Sequence, residues 1–571
     1  MIHEADDTGL RSMAMQWCQL GLHPMFEAAG DASTGKIERQ LISYHMLVNN
    51  HNAAYQLLDQ MSFTQRSNKY SRFLAYSSAM RLGNVKEARS CLNTIINSHG
   101  DDEQLVLACV GESIQCGQGL DTARLLQRII DMQRPPQYAE LGELLRFTAT
   151  TLMRVTASPN PEKQAEDEIL ARLCAIFRSA IKFRKADPGC SPQLDLAWFQ
   201  RQSFHVARKH IKSWPRRYII DLLQYSNELY CADDDLALSD DQRQCTRDSN
   251  YLQALLYASE AREVASRYSV EDLPRTAYDA RHKPKLSDCR LVLYQQVFRI
   301  FSSCYKHHQS SVFADEAQKQ DSRAQMQVII PLAFEALLFM NASSCLTAEA
   351  GFDEISIKLL LNNAAELEVP AATSAVLADT VLVFASGDAT AWPQLDGLQI
   401  SSVTAARLLG QVIGMLRKAN DYDLGHAARW IRCISQLLLE DVELAVAKHT
   451  PGGPLTCNQS LAMLNSVVHQ AMDLARSSFS SRAKSTPKDN QRRRSTHPAS
   501  MYPVEEVQWL AAKLFNMAVD FHTLGQEDLI PSWATTAIEL AQMIKSEGGS
   551  GGFADMLSAK MQELGWPGRR S

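Results

Sequence analysis

The sequence predicts an all-α fold, built as a right-handed solenoid of degenerate helical hairpins, on three observations. Apolar residues recur at alternating steps of three and four along most of the chain, which is the spacing of one helix face. Ala54, Ala88 and Ala123 each stand early in a predicted second helix, at separations of 34 and 35 residues. The period-two alternation that marks a strand is absent over useful lengths.

The spacing of these alanines is close to the period of about 34 residues that tetratricopeptide repeats show. Such a repeat needs a small side chain where its second helix packs against its first. Gly83 falls in the turn between the two helices, where a glycine is expected. Tyr76 stands where the first helix usually carries a small residue, so the repeats are predicted to be degenerate.

Further helices follow in order, each indicated by the same periodicity. They are predicted at residues 138–155, 162–183, 194–213, 218–230, 251–268, 289–305, 322–341, 354–368, 371–385, 402–419, 423–446 and 458–475. The predicted breaks are an acidic loop at 232–249, a proline-containing loop at 270–288 and a basic segment at 478–500. The clearest hairpin is predicted at 503–541, where Gly525 supplies a left-handed stop between two apolar stripes.

Composition limits the classes of function. The chain has 571 residues and a formal net charge of −6, so strong attraction of the whole molecule to nucleic acid is not indicated. Its 13 cysteines include no C-x-x-C pair, which favours free thiols in a reducing compartment. The first residues are acidic, and no uninterrupted apolar run approaches about 20 residues. We therefore expect an intracellular protein with no membrane contact.

Candidate chemistry is weak, and no catalytic, cofactor-binding or metal-binding residue is predicted. In the acidic loop, Asp234 and Asp235 lack the third carboxylate of a D-D-x-x-D magnesium motif, which favours a solvated loop. His205 and His210 are five residues apart and fall on different helix faces, so they cannot share a metal. Phosphate-binding glycine motifs and a G-x-S-x-G elbow are absent. The sequence thus predicts a non-enzymatic protein with no cofactor and no small-molecule substrate.

The segment 478–500 carries the strongest local charge. Arg492, Arg493 and Arg494 lie in a stretch rich in Ser, Thr and Pro, a composition that predicts disorder. Such a loop could act as a nuclear-import signal, a phosphorylation-controlled tether or a weak phosphate-backbone contact. The alternative is a plain solvated loop, and composition alone leaves both interpretations open.

Three segments, at 196–230, 426–439 and 503–541, resemble the fungal meiosis-specific Zip-four/Spo-twenty-two family of tetratricopeptide proteins. The first is similar to a helix pair with a W-F start and a W-P before a Leu-rich helix. The second is similar to an R-W-I-R-C helix, and the third to an E-E…W-L-A…F-N-x-A-V-D run followed by a Trp. The residues that carry the resemblance, and that we expect to be structural core, are Trp198, Phe199, Trp214, Pro215, Arg429, Trp430, Arg432, Cys433, Trp509, Phe515, Asn516 and Trp533.

The resemblance implies a scaffold on meiotic chromosomes in the nucleus, required for sporulation. Such a protein promotes crossover recombination and synaptonemal complex assembly by gathering recombination factors. Its partners would be other pro-crossover proteins and chromosome-axis or synaptonemal components, with direct nucleic-acid contact weak or absent. A general tetratricopeptide adaptor unrelated to meiosis is the alternative.

Four regions are predicted along the chain. Residues 1–30 form a partly helical N-terminal segment, and residues 31–190 form tetratricopeptide-like repeats. The family-like helical region spans 191–545 and includes the basic loop 478–500. Residues 546–571 form a flexible tether and a short last helix.

Overall fold

The computed structural model describes most of the chain as α-helices in succession. The described residues are 8–99, 102–132, 138–156, 163–186, 195–229, 240–267, 286–310, 313, 316–346, 353–387, 398–417, 423–447, 457–483, 502–545 and 552–566. Within these ranges there are 23 α-helices, one short 3₁₀ helix and no strand. The prediction of an all-α chain of helical hairpins is confirmed.

The chain divides into two compact units, Met1–Ser249 and Asn250–Ser571. The predicted division of the sequence at 190/191 rests on the family resemblance and stays a prediction. The helices of the first unit are α1 (Thr8–Gly21), α2 (Asp31–Leu47), α3 (His51–Gln60), α4 (Phe63–Arg66), α5 (Lys69–Arg81), α6 (Val85–His99), α7 (Glu103–Gln115), α8 (Gly119–Met132), α9 (Tyr138–Thr156), α10 (Lys163–Ala186), α11 (Leu196–His210) and α12 (Arg216–Glu228). Helix α13 (Asp240–Arg267) contains the boundary between the units.

Three hairpins of the first unit, α2/α3, α5/α6 and α7/α8, repeat in register. Their turns place Asn49, Gly83 and Gly117, 34 residues apart, at φ of 59°, 72° and 71°. This left-handed conformation favours Gly and Asn and ends a helix by capping its last carbonyls. The residue that follows each turn residue donates its backbone N–H to the carbonyl oxygen five residues earlier. These hydrogen bonds join Asn50 to His45 (2.8 Å), Asn84 to Ala79 (2.9 Å) and Gln118 to Ser113 (3.0 Å).

This register corrects one position of the predicted repeat. Ala54 and Ala88 are fully buried, as expected, but the residue 34 positions beyond Ala88 is Thr122, not Ala123. Thr122 is also buried, and its hydroxyl lies 2.8 Å from Ser113 Oγ. A threonine fits because a neighbouring hydroxyl partners its own buried hydroxyl. Ala123, also buried, is simply the adjacent residue of α8.

Tyr76, the outlier of the predicted repeat, lies in the core. Its side chain has no exposed surface and packs in one apolar cluster with Ala88, Leu92 and Leu126. The small alanine on the second helix leaves room for the large ring on the first. At this degenerate position a large side chain on the first helix is compensated by a small one on the second. The core stays closely packed because the total side-chain volume is kept.

The second unit continues the succession of hairpins. Its helices are α14 (Leu286–Ser310), α15 (Glu316–Leu346), α16 (Glu354–Glu366), α17 (Ala371–Ser386), α18 (Ser402–Leu416), α19 (Leu424–Ala447), α20 (Asn458–Ala483), α21 (Val504–Thr523), α22 (Ile530–Lys545) and α23 (Gly552–Glu563). Consecutive helices pack as the pairs α14/α15, α17/α18, α19/α20 and α21/α22. The first helices of successive hairpins, α17, α19 and α21, also pack in a row.

Parts of two predicted loops are helical. The stretch predicted as an acidic loop at 232–249 is helical from Asp240 onward, because α13 begins there. Acidic residues are favourable in the first turn of a helix because they interact with the positive end of the helix dipole. Asp240 and Asp241 are therefore as compatible with a helix start as with a solvent-exposed loop. Similarly, α20 extends to Ala483, so the first residues of the predicted basic loop are helical.

Helix α15 is long and apolar enough, by composition alone, to cross a membrane. The stretch Glu316–Ser343 holds an 18-residue window of mean hydropathy 1.5, and 67% of that window is buried within the protein. Glu335 interrupts its apolar residues and is itself buried. Burial against neighbouring helices is the behaviour of a core helix in this unit.

Glu335 anchors α15 to two other helices. Arg262 of α13 donates to both of its carboxylate oxygens, with Nε 3.0 Å from Oε1. Tyr294 of α14 donates its hydroxyl to the same Oε1 at 2.6 Å. A buried carboxylate is tolerated only when such donors replace its water, so these contacts fix the relative positions of three helices.

Replacing Gly83 with Ala tests the left-handed turn. We expect Gly83→Ala to lower the free energy of unfolding by about 1 kcal/mol, because an alanine is strained at φ of 72°. The matched control is Gly111→Ala, within α7, where an added Cβ meets nothing within 4 Å. That change should stabilise by up to about 1 kcal/mol, since Ala is the better helix former. Urea unfolding followed by circular dichroism measures both, and equal effects at the two sites would contradict the assigned turn.

Removing one hydroxyl tests the anchor at Glu335. Tyr294→Phe should lower the stability of the second unit by about 2 kcal/mol, because a buried carboxylate loses one of its donors. Tyr305→Phe is the control, since that hydroxyl donates to Glu366 at an exposed site, and its loss should cost less than about 0.5 kcal/mol. Thermal unfolding of both variants checks the difference, and no difference would argue against a buried anchor.

Candidate functional site

Helices α19 and α21 lie side by side and run in the same direction. Near their beginnings, Arg432 of α19 contacts Glu506 and Trp509 of α21. Farther along, residues 439–447 of α19 and 513–520 of α21 line one shared groove. Because contacts advance together along both helices, the two are parallel, and each is the first helix of its hairpin, with α20 and α22 as second helices.

The groove between them has a volume of about 540 Å³ and an apolar floor. Leu439 and Val442 of α19 and Met517 of α21 form that floor and are buried. Val446, half-buried and four residues after Val442, continues the same helix face, so the floor extends over about two turns. The groove can therefore receive apolar side chains along a length of roughly 12 Å.

The rim of the groove is polar and exposed. Glu443, Lys513, Asn516 and Asp520 line it, and none of the three charged residues is in an ion pair within the described ranges. Arg432 lies 74 residues before Glu506 and 77 before Trp509, and this offset places Glu443 opposite residues 517–520. Asp520 is thus near one end of the groove and Lys513 is at the other, and Glu443, midway along the α19 wall, lies on the Asp520 side.

Beyond the Lys513 end, the two helices are joined by charged and aromatic side chains. The Arg432 guanidinium lies 4.8 Å from the Trp509 ring centroid and 3.4 Å from each Glu506 carboxylate oxygen. Trp430 donates its indole N–H to Asp379 of α17 at 2.8 Å. These contacts link α17, α19 and α21 and hold the beginning of the groove at fixed width.

The thiol of Cys433, at this surface, is poorly suited to nucleophilic chemistry. Cys433 is an exposed residue, yet partial burial of its sulfur raises its pKa, and Glu506 and Asp379 act in the same direction against Arg432. A raised pKa keeps the sulfur protonated at neutral pH, and the thiol is the weaker nucleophile. The Cys433 sulfur is therefore not activated for nucleophilic attack.

The residues predicted as core fall into three groups. Phe199, Trp214, Trp430, Phe515 and Trp533 are buried. Trp198 and Trp509 are half-buried, and each is covered by an arginine, Arg146 at 5.4 Å and Arg432 at 4.8 Å. The remaining five, Pro215, Arg429, Arg432, Cys433 and Asn516, are exposed, so the expectation that they are core is wrong.

The reason for this error is geometric. The run from Arg429 to Cys433 covers more than one full turn of α19, and a full turn cannot face the core on all sides. Trp430 takes the buried side and the flanking residues are left outside. In the same way Phe515 enters the core while its neighbour Asn516 lies on the groove rim.

Arg492, Arg493 and Arg494 lie outside the described residues, as do residues 232–239 of the predicted acidic loop, including Asp234 and Asp235. Across the part of the chain that the structure describes, no group of three or more His, Cys, Asp or Glu side chains could hold a metal ion.

Sequence reasoning missed the rim residues Glu443, Lys513 and Asp520. Glu443 and Lys513 are ordinary charged positions in helices that no motif marks, and Asp520 entered only as the last residue of the F-N-x-A-V-D run, not as a binding residue. A signal existed in the register of the hairpins. When first helices pack in a row, the polar residues next to the apolar stripe of each helix face the groove between them. The spacing of Glu443, Lys513 and Asp520 from the stripe residues Leu439 and Met517 could therefore have identified these three as rim residues.

Comparison with known proteins does not assign a family. No family model matches the chain, and no curated protein matches it either. Among solved structures, it is similar to a circular tandem repeat protein with a novel repeat topology and enhanced subunit contact surfaces, at 13% identity over 97% of this chain and 98% of that one, with a TM-score of 0.20. It is also similar to a Naa15/Naa10 structure bound to HypK-THB, at 10% identity over 97% and 96%, with a TM-score of 0.17. Scores this low carry no argument about function.

Two arginines of α19 allow a matched test of the joint between α19 and α21. Arg432→Gln should lower the free energy of unfolding by about 1 kcal/mol, because it removes the contact with the Trp509 ring and leaves the largely buried Glu506 without its cation. Arg429→Gln, at an exposed position three residues earlier, should change it by less than about 0.5 kcal/mol. Urea titration of both variants decides, and a similar loss in both would mean that Arg432 has no special role.

Proposed function

We propose that this protein is a non-enzymatic scaffold that binds other proteins in grooves between the first helices of successive hairpins. The observation that carries the proposal is the groove between α19 and α21. Burial of a partner's apolar side chains on its floor would supply binding free energy, and the charges on its rim would select the partner. Hairpin arrays provide extended binding surfaces of this kind because each added hairpin lengthens the row of exposed first helices.

We further propose, from the sequence resemblance alone, that the partners are meiotic. The three family-like segments support this proposal. One of them, 503–541, contains all of α21, which forms one wall of the groove, and 426–439 reaches the other wall at Leu439. In this proposal the protein acts in the nucleus on meiotic chromosomes. It gathers pro-crossover proteins and chromosome-axis or synaptonemal components, with any DNA contact weak and confined to Arg492, Arg493 and Arg494.

Affinity capture tests the groove as the binding site. The tagged full-length chain is recovered from cells in meiosis, and its partners are compared with those of Asn516→Arg, which places a long cation on the groove rim. We expect at least a tenfold loss of the partners, equivalent to about 1.4 kcal/mol or more. Arg is a better helix former than Asn, so α21 should remain folded, and thermal unfolding verifies this.

Gln562→Arg, at an exposed position on α23, is the control and should capture the same partners as the unchanged chain. Capture that is equal for the Asn516 variant would rule out this groove. The identity of the captured proteins and the timing of expression decide the biological setting. Expression confined to meiosis with crossover factors as partners supports the meiotic role, whereas constitutive expression with unrelated partners supports a general adaptor.

A further inference from the structure

We infer that the groove between α19 and α21 takes an amphipathic α-helix of a partner, lying antiparallel to both of its walls. This inference rests on the proposed function and names the shape, chemistry and direction of the ligand. It depends on two properties of the groove, its wholly helical walls and the unequal charge of its two ends.

The walls favour a helix over an extended peptide. Residues 439–447 and 513–520 lie within α19 and α21, where backbone groups are bonded along each helix, except that the carbonyls of the last turn of α19, residues 444–447, have no partner inside the helix. The walls therefore offer no free backbone edge to which an extended chain could pair. An extended peptide on the apolar floor would leave its own polar backbone groups without partners, whereas a helix satisfies them internally.

The floor has the length and spacing that a helix needs. Leu439, Val442 and Val446 are spaced by three and four residues along α19, and Met517 faces them from α21. Two parallel helices of this kind present a trough into which the apolar stripe of a third can pack. Recognition of this type uses anchors at i, i+3, i+4 and i+7, which span about the same two turns.

The charges on the rim give the bound helix a direction. Asp520 and, nearer the middle, Glu443 lie in the half of the groove toward the C-termini of its walls, and Lys513 lies at the other end. A helix carries partial positive charge at its N-terminus and partial negative charge at its C-terminus. The favoured orientation places its N-terminal end against the two carboxylates and its C-terminal end against the lysine, antiparallel to α19 and α21.

The same charges define the ligand. A helix with Leu-like anchors, Lys or Arg near its N-terminal end and Glu or Asp near its C-terminal end complements both the floor and the rim. A helix with the reverse distribution of charge places like charges together at both ends.

Selection from a peptide library tests this inference. The probe is a display library of peptides about 16 residues long, with Leu fixed at i, i+3, i+4 and i+7 and Ala, Gln, Lys or Glu at all other positions. The full-length protein is the bait, and its Asn516→Arg variant is used to remove peptides that bind elsewhere. We expect Lys to exceed Glu about fivefold near the N-terminal end of the selected peptides, with the opposite ratio near the C-terminal end.

A charge-swapped bait provides the matched control. The combined changes Glu443→Lys, Lys513→Glu and Asp520→Lys should reverse both ratios, since they exchange the charges of the two ends at exposed positions. The affinity of one selected peptide, measured by fluorescence anisotropy, should fall as salt is raised.

Three results would overturn the inference. Selected peptides with Lys enriched at the C-terminal end would mean that the bound helix is parallel to the walls. Peptides with the same Lys-to-Glu ratio at both ends would mean that the rim charges do not set the orientation of the helix. A lack of enrichment over the Asn516→Arg bait would reject a helical ligand. Each result is distinct from failure of the proposed function, which is judged by capture of cellular partners and does not depend on the shape of the ligand.

Discussion

The turn that closes each hairpin is the constraint on which the rest of the structure depends. In the first unit a residue with positive φ recurs at Asn49, Gly83 and Gly117, and each ends one helix and begins the next at a set distance. Because the turns are in register, the residue five positions after each turn residue is buried against the preceding helix. The small side chains at these positions, and the large ones opposite them such as Tyr76, follow from this constant spacing between the turn and the buried residue.

The sequence predicted the succession of helices well, because amphipathic periodicity and turn residues are local signals. Ala88 and Gly83 lie where their spacing placed them. Errors arose where a local pattern permits two outcomes. Acidic residues such as Asp240 suit both a loop and a first helical turn, and Thr122 replaces an alanine because a partner for its hydroxyl comes from elsewhere in the fold.

The candidate site could not be predicted from sequence for a different reason. A motif such as that around Trp430 identifies a helix but does not say which of its residues are outside. The groove exists only when two hairpins, about 75 residues apart in sequence, bring α19 and α21 together. Phe515 and Asn516 illustrate the point, since one lies in the core and its neighbour lies on the groove rim. A segment that resembles a family can thus supply core and binding surface at once.

The carboxylate of Glu335 also bears on how α15 behaves before the protein is folded. This helix has enough apolar residues to pass for a membrane span, and the chain exposes it until it packs against its neighbours. A charged side chain near the centre of such a stretch raises the cost of its insertion into lipid by about 2.5–3.5 kcal/mol. Glu335, which pairs with Arg262 and Tyr294 in the folded protein, therefore also disfavours insertion of the unfolded α15 segment into a membrane.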